Sequence, residues 1–142
     1  MFGFRSDGRK IKSIPPIFKI IPQVMRTRAD SQVYYSYDIP ISGMDEYIAK
    51  KAEEGIKISY MNIIYAAMVR LIAQRPQLNR FVMNCQTYAR KDIEISLAIK
   101  KNLSDDGEET TLKIPFKGTE NIFEVKEILD KTIEQNKDTN AE

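Results

Sequence analysis

The chain has 142 residues, of which 22 are Lys or Arg and 20 are Asp or Glu, so its formal net charge is only +2. Apolar residues make up 42% and charged residues 30%, which is typical of a globular domain and not of a general polyanion binder. The single cysteine excludes an internal disulfide framework. The absence of histidine excludes Ser–His and Cys–His catalysis and leaves only carboxylates for a metal site, so we predict no catalytic and no metal-binding residues.

The N-terminal segment is the most basic part of the chain. Residues 1–29 contain seven Lys or Arg residues and one acidic residue, a net charge of +6. Residues 1–14 show no hydrophobic period, and we expect them to form a flexible basic arm. Pro15 and Pro16 precede an apolar segment that Pro22 interrupts, which predicts a short or broken helix. A basic loop with Arg26 and Arg28 follows it.

A strand and a helix are predicted next. Residues 33–41 (VYYSYDIPI) carry apolar side chains at every second position, which predicts a strand with Pro40 at its edge or end. Ser42 and Asp45 have the spacing of a capping box, and Gly55 is typical of the end of a helix. We therefore predict a helix between Ser42 and Gly55.

The longest apolar segment predicts a helix from Tyr60 to Arg75, with Ser59 as its N-cap and Pro76 at its end. Only two polar residues interrupt the segment before residue 74, so we expect a core helix that is covered on more than one face. Its densest apolar stripe consists of Met61, Ile64, Met68, Leu71 and Ile72. At about four turns the segment is too short to span a bilayer.

The C-terminal part predicts two strands and a helix. Apolar residues alternate with polar ones over residues 92–101 and again over residues 110–117, and an acidic loop separates the two runs, which favours an antiparallel hairpin. Asn121 and Glu124 have capping-box spacing before an amphipathic helix. Residues 138–142 are predicted to be a frayed tail. We predict one α/β domain over residues 15–137, with a mixed, largely antiparallel sheet backed by helices.

Several of these stretches also occur together in a known family. The apolar helix ends in a Pro-x-Leu-Asn stretch at Pro76, Leu78 and Asn79, and Tyr88 precedes an Ile-x-Ile-x-x-Ala strand that starts at Ile93. In this order the stretches resemble the N-terminal half of the catalytic domain of 2-oxoacid dehydrogenase dihydrolipoyl acyltransferases. That family shares the chloramphenicol acetyltransferase-like fold.

The resemblance extends over about residues 17–136 and implies an incomplete chloramphenicol acetyltransferase-like fold. It also implies coenzyme A as the cofactor and trimeric assembly with the active site between subunits. The family's catalytic His-x-x-x-Asp-Gly motif lies in the half that this sequence lacks. We therefore expect a coenzyme A-dependent acyltransferase-like protein that is inactive alone, with a partner supplying the other half. The alternative is a non-catalytic oligomerisation or partner-docking module with the same fold.

Three residues are candidates for the site. Arg26 and Arg28 either fix a catalytic Asp or bind a coenzyme A phosphate, as the resemblance implies, or lie in a solvated loop, and Asn79 either caps a turn or lines the substrate channel. Cys85 has no histidine to activate it, which favours an incidental thiol. The absence of a secretory segment predicts a cytoplasmic location, and we expect no membrane partner. No nucleic-acid reader motif accompanies the basic arm, so nucleic acid is not expected as a partner.

Overall fold

The computed structural model describes residues 5–100 and 109–137. The elements of these residues are, in chain order, β1 (Gly8–Lys10), α1 (Pro16–Val24), α2 (Ser42–Glu53), α3 (Tyr60–Gln74), a 3-10 helix (Pro76–Asn79), β2 (Arg80–Met83), β3 (Gln86–Arg90), β4 (Ile93–Lys100), β5 (Glu109–Phe116) and α4 (Ile122–Lys137). The general prediction of an α/β class with antiparallel pairing is confirmed. The prediction of one mixed sheet is wrong for the described residues, because their strands form two separate sheets with antiparallel pairs only. The predicted tail, most of the acidic loop and the first four residues of the arm lie outside the described residues.

The described residues divide into two compact units, and each unit combines separate stretches of the chain. The first unit contains residues 5–40 and 75–91, and the second contains residues 41–74, 92–100 and 109–137. Each unit has its own sheet: three strands in the order β1-β3-β2 in the first, and the hairpin β4-β5 in the second. The predicted domain limits at residues 15 and 137 stay a prediction.

The second unit is built around apolar side chains between the β4-β5 hairpin and the helices α3 and α4. The hairpin pairs Ile93 with Phe116 at one end and Lys100 with Glu109 at the other. Inward-facing positions alternate with exposed ones along both strands, so both predicted strands are confirmed. The most deeply buried side chains of the unit are Val69, Ile114, Val125 and Leu129. Each of them contributes roughly 1.5–3 kcal/mol by its removal from water.

The N-terminus of α3 has the predicted cap. The backbone N–H and the hydroxyl of Ser59 donate to Asn62 Oδ1 at 2.8 and 2.7 Å, and Ser59 Oγ accepts the Asn62 backbone N–H at 3.3 Å. This reciprocal arrangement also supplies partners for Asn62, the buried polar side chain of the helix. The helix ends at Gln74, two residues before Pro76, as the restriction on residues preceding proline requires.

The predicted coverage of α3 on more than one face is wrong for this chain. One row of side chains packs in the core or against it: Met61, Tyr65, Ala66 and Val69. A second row, which includes most of the predicted stripe, is exposed: Tyr60, Ile64, Met68 and Leu71. We call this second set the exposed α3 row. The helix is apolar on nearly every side, so its pattern did not distinguish the face that packs on the hairpin.

The connection from β5 to α4 is fixed by backbone hydrogen bonds to the side chains of Asn121, Glu124 and Glu120. Asn121 Oδ1 accepts the backbone N–H groups of Phe123 and Glu124 at 2.9 and 3.0 Å, and Glu124 Oε2 accepts the Asn121 N–H at 2.7 Å. The predicted capping box is therefore confirmed. Glu120 accepts the backbone N–H groups of Lys117 and Gly118. Burial favours the neutral acid at Glu120, but these amides outweigh it and lower the pKa of the carboxyl below its ordinary value.

The two ends of α2 differ in how well they follow the prediction. Ile41 already has helical backbone angles and occupies the N-cap position without a side-chain hydrogen bond, so the predicted Ser42 cap is wrong. At the other end Gly55 has a φ of +78°, its N–H donates to Ala52 O, and the Ile56 N–H donates to Lys51 O. These two bonds form a Schellman motif, which confirms the predicted end of the helix.

The predicted strand over residues 33–41 is wrong. Residues 33–40 have no regular secondary structure and belong to no sheet of the described residues, and Val33 is 91% exposed. Tyr35 and Tyr37 stack on each other with ring centroids 6.4 Å apart instead of packing across a sheet. An alternating pattern gives a strand only where a neighbouring strand pairs with its backbone, and none of the described strands does so.

The β2-β3 hairpin and the short strand β1 hold the first unit together. Strand β1 was not predicted from the sequence. β1 pairs with β3, from Gly8 opposite Arg90 to Lys10 opposite Tyr88. Gly8 is required at this position, because a Cβ there would lie 2.8 Å from Phe81 Cε1 and 3.0 Å from the Ala89 carbonyl oxygen. The strand is thus placed by close contact with its neighbours and not by its own hydrophobic pattern.

A cluster of charged and aromatic side chains fastens the start of β1. Arg5 donates to both carboxylate oxygens of Asp7 at 2.6 and 2.7 Å, and Arg90 lies 3.9 Å from the same carboxylate. The guanidinium groups of Arg5 and Arg90 lie 5.2 and 4.8 Å from the centre of the Phe81 ring, which stacks on Tyr88. The hydrogen bonds from Arg5 hold the pKa of the Asp7 carboxyl below its ordinary value.

Candidate functional site

The two candidate arginines lie in the loop that follows α1, in the first unit, and both are exposed. Arg26 Nε donates to the carbonyl oxygen of Gln23 at 3.2 Å, so this side chain folds back onto the end of its own helix. The carbonyl oxygen of Arg28 accepts the Ser31 hydroxyl at 3.1 Å, a contact that serves the loop and not a ligand. These contacts favour the solvated-loop interpretation of Arg26 and Arg28.

Asn79 is the last residue of the 3-10 helix and is half-buried. It follows a turn in which the Leu78 N–H donates to the Arg75 carbonyl oxygen at 2.9 Å. Its position at the end of a short helix agrees with the turn interpretation. Neither Asn79 nor the two arginines line the cavities of the first unit described next.

The first unit contains a basic cavity of about 490 Å³. Lys10 and Lys12 line it from the end of β1 and the residues that follow, and Lys19 lines it from α1. The Ile11 N–H donates to the Thr87 carbonyl oxygen at 3.0 Å and so extends the attachment of this segment to β3. Gln23 of α1 and Gln86 and Thr87 of β3 also contribute polar side chains to the wall. We call this feature the basic cavity.

An apolar groove, also of about 490 Å³, adjoins the basic cavity. Phe18, Ile21 and Pro22 of α1 form one wall, and Val82 of β2 and Arg80 at its start belong to the other. The two features share the wall residues Ile14 and Thr87. We call this second feature the apolar groove.

The turn of the β2-β3 hairpin has unusual backbone angles. Asn84 and Cys85 have φ values of +49° and +54°, the left-handed region that a two-residue type I′ turn requires. Asparagine tolerates this conformation, but the second position normally carries glycine, so Cys85 is strained there. Cys85 also lines the basic cavity and is exposed, yet the chain offers no histidine to serve as its base.

The sequence identified the basic character of this region but not the site. Lys10, Lys12 and Lys19 contribute to the excess positive charge of residues 1–29, but we predicted Lys10 and Lys12 to lie in a flexible arm and Lys19 in a short or broken helix. Lys10 and Lys12 are two residues apart, a spacing that places side chains on one face of an extended segment. That spacing was the available signal, but its meaning depended on the pairing of β1 with β3, which local sequence does not reveal.

The exposed α3 row is the second candidate surface of the chain, and it lies in the second unit. Its members recur at intervals of four, four and three residues, so they form a continuous line along the helix. Leu71 is 51% exposed and Ile64 is 53% exposed. A row of large apolar side chains in water is typical of a surface that another molecule covers.

No helix within the described residues is long and apolar enough to cross a bilayer. No protein-family model matches the chain, and neither a curated protein nor a solved structure matches it.

Proposed function

We propose that this chain is a coenzyme A-dependent acyltransferase-like protein, of the 2-oxoacid dehydrogenase acyltransferase family, that is inactive by itself. The observation that supports this proposal is the order and packing of the second unit. An apolar helix, α3, lies against the antiparallel β4-β5 hairpin, and the amphipathic helix α4 follows and packs on both. This is the succession that the family resemblance implies, and we propose a chloramphenicol acetyltransferase-like fold on the same ground.

Inactivity follows from the chemistry of acyl transfer. The acceptor thiol or hydroxyl must lose its proton as it attacks the acyl carbon. A positioned base typically increases the rate of such a step by about 10²–10⁴-fold. The 142 residues contain no histidine, and Arg26, Arg28 and Asn79 are not bases at neutral pH. The histidine that the family resemblance implies as the base would therefore have to come from another polypeptide or from residues outside these 142.

The test is an assay of acetyl transfer from acetyl-coenzyme A to dihydrolipoamide, with free coenzyme A and the acetylated product separated by chromatography. We expect no product above the uncatalysed rate. A Cys85→Ser variant controls for a single acetylation of the chain's own thiol. Multiple turnovers by the wild-type chain that persist in this variant would refute the proposed inactivity.

The exposed α3 row supports a second candidate from a different functional class. In this alternative the chain is a non-catalytic oligomerisation module, and a second copy of the chain covers the row. Burying Ile64, Met68 and Leu71 between copies would remove their remaining apolar surface from water, the main driving force of such association.

Light scattering coupled to size-exclusion chromatography tests this alternative. We expect the wild-type chain to form a closed oligomer and the double variant Ile64→Ser, Leu71→Ser to be monomeric. The matched control is Val24→Ser, Leu78→Ser, which removes two exposed apolar side chains outside the row. A monomeric wild type, or equal masses for the two double variants, would contradict the oligomerisation module.

A further inference from the structure

The basic cavity concentrates positive charge that the protein does not neutralise. Within residues 5–100 and 109–137, Lys10, Lys12 and Lys19 form no ion pair, and no acidic side chain lines the cavity. Elsewhere in the described chain lysines do find carboxylates: Lys51 pairs with Glu54 and Lys126 with Asp130. Three like charges around one cavity repel each other, and a bound anion would replace this repulsion with attraction.

The neutral groups of the cavity suit an anion with several oxygens. Gln23, Gln86 and Thr87 line the same space as the lysines, and the side chains of all three contain groups that can donate hydrogen bonds. The ammonium group of lysine binds phosphate as a compact positive charge. Such charge-assisted hydrogen bonds are stronger than hydrogen bonds between neutral groups. The composition of the wall therefore favours a phosphate over a single carboxylate.

The two faces of α1 show what else the ligand carries. Lys19 and Gln23 are four residues apart and line the basic cavity, whereas Phe18 and Pro22, also four apart, line the apolar groove. One face of α1 thus lines a cationic space and the adjacent face lines an apolar space. The two spaces are neighbours, because Ile14 and Thr87 line both of them. A cavity of 300–1,000 Å³, roughly, is the usual size for a small-molecule site, and each of the two spaces falls within it.

We propose that the first unit binds a phosphate ester of an aliphatic or acyl chain, with the phosphate between Lys10, Lys12 and Lys19 and the chain in the apolar groove. The ligand is either a free phosphate ester or the headgroup and proximal chain of an anionic phospholipid, since both present this chemistry. The proposal does not depend on acyl transfer, because it uses no residue of the second unit and no catalytic step.

The test measures binding of dodecyl phosphate below its micelle-forming concentration by isothermal titration calorimetry. The triple variant Lys10→Gln, Lys12→Gln, Lys19→Gln should weaken binding by about tenfold or more, because charge-assisted bonds to the phosphate are lost. The matched control Lys57→Gln, Lys113→Gln, Lys131→Gln removes the same charge from exposed positions of the second unit and should bind like the wild type.

A second pair of variants tests the apolar groove. Phe18 and Ile20 are each 54% exposed, but only Phe18 lines the groove. Phe18→Ala should weaken binding of dodecyl phosphate by several-fold and leave binding of pyrophosphate unchanged, whereas Ile20→Ala should affect neither. Circular dichroism of every variant verifies that helix content is retained, so that a loss of binding reports on the site.

Further arms identify the source of the ligand and define the contrary results. Binding to phosphatidylcholine vesicles that contain phosphatidic acid, lost in the lysine variant, would identify the lipid source, and binding of dodecyl phosphate alone would identify a free ester. Equal binding by the two triple-lysine variants, or equally tight binding of dodecyltrimethylammonium, would overturn the proposal. Tighter binding of a short single-stranded oligonucleotide than of dodecyl phosphate would also overturn it.

Discussion

The two units of this chain are stabilised by different physical means. The second unit buries a continuous set of apolar side chains from four elements, with Ile114, Val125 and Leu129 fully inaccessible. Among the described residues of the first unit, Tyr88 is the large apolar side chain that is buried. The strands of this unit are held by backbone hydrogen bonds between them and by the cluster of Arg5, Arg90 and Phe81. Burial of apolar area is the dominant stabilising term in folding, so we expect the second unit to be more stable than the first.

The difference has a functional side. The unit with the weaker core carries both the basic cavity and the apolar groove, while the well-packed unit carries the exposed α3 row. Sites that bind ligands are commonly drawn from the less stable parts of a protein, because binding can then order them. A ligand in the first unit would therefore stabilise it, whereas a second copy on the exposed α3 row would add to a unit that is already stable.

The largest expected effect comes from removing a core side chain of the second unit. Leu129→Ala should lower the free energy of unfolding by about 2–5 kcal/mol, because it leaves a cavity between α4 and the hairpin. The matched control Leu78→Ala, at a residue of the first unit that is 61% exposed, should change it by less than about 0.5 kcal/mol. Urea denaturation followed by circular dichroism measures both. Similar losses for the two variants would mean that Leu129 is not part of a closely packed core.

A smaller effect is expected where the backbone of the second unit is constrained. Gly118 has a φ of +89°, and a Cβ there would lie 3.1 Å from Ala73 Cβ and from Ile93 Cδ1. Gly118→Ala should therefore cost about 1–3 kcal/mol of unfolding free energy.

Two other glycines separate the causes of that loss. Gly55 has a φ of +78° but nothing within 4 Å of its Cβ position, so Gly55→Ala reports the backbone strain alone. Gly43 lies in α2, without a positive φ, and also has nothing within 4 Å of its Cβ position. Gly43→Ala should therefore raise the free energy of unfolding by about 0.5–1 kcal/mol, because alanine favours a helix over glycine. A neutral Gly118→Ala would show that the hairpin and α3 are not packed as closely as the structure indicates.

The capping contacts of α4 should contribute somewhat less. Asn121→Ala removes the acceptor for two backbone N–H groups and should cost about 0.5–2 kcal/mol. Ser42→Ala is the matched control, because Ser42 had the same predicted role at α2 but makes no capping bond there. Thermal unfolding of the two variants gives the comparison. Equal destabilisation would indicate that Ser42 does cap its helix in solution.

The smallest expected effects depend on pH and differ between the units. The pKa values of Glu120 and Asp7 lie below the ordinary 4.5 and 3.8, so each contributes stability that is present above those values and is lost as the pH falls through the lowered pKa. Glu120→Gln should reduce the dependence of the unfolding free energy on pH below about 4. Asp7→Asn should instead speed hydrogen exchange of β1 without changing the second unit. Faster hydrogen exchange in both units of the Asp7→Asn variant would contradict the prediction that Asp7 stabilises the first unit alone.

Much of the second unit could be predicted from the sequence, because its signals are local. The alternation in β4 and β5, the Asn121 cap and the stop at Pro76 each depend on neighbouring residues, and all three are confirmed. The covered face of α3 could not be predicted, because its apolar residues surround the helix and only the position of the hairpin selects a side.

The first unit and its site were less predictable because they depend on contacts between distant residues. β1 has three residues without hydrophobic alternation, and its place depends on Phe81 and Asp7. The strand predicted over residues 33–41 failed for the related reason that no described strand pairs with it. Lys10, Lys12 and Lys19 were visible as charges, but only the tertiary structure places them around one cavity.

Native-state hydrogen exchange read by mass spectrometry tests the contrast between the units most directly. We predict that the slowest amides lie in β4, β5, α4 and the inward face of α3, and that β1, α1 and the β2-β3 hairpin open at a clearly lower free energy. Equal protection of the two sheets in the free protein, or slower exchange in the first unit than in the second, would contradict the account.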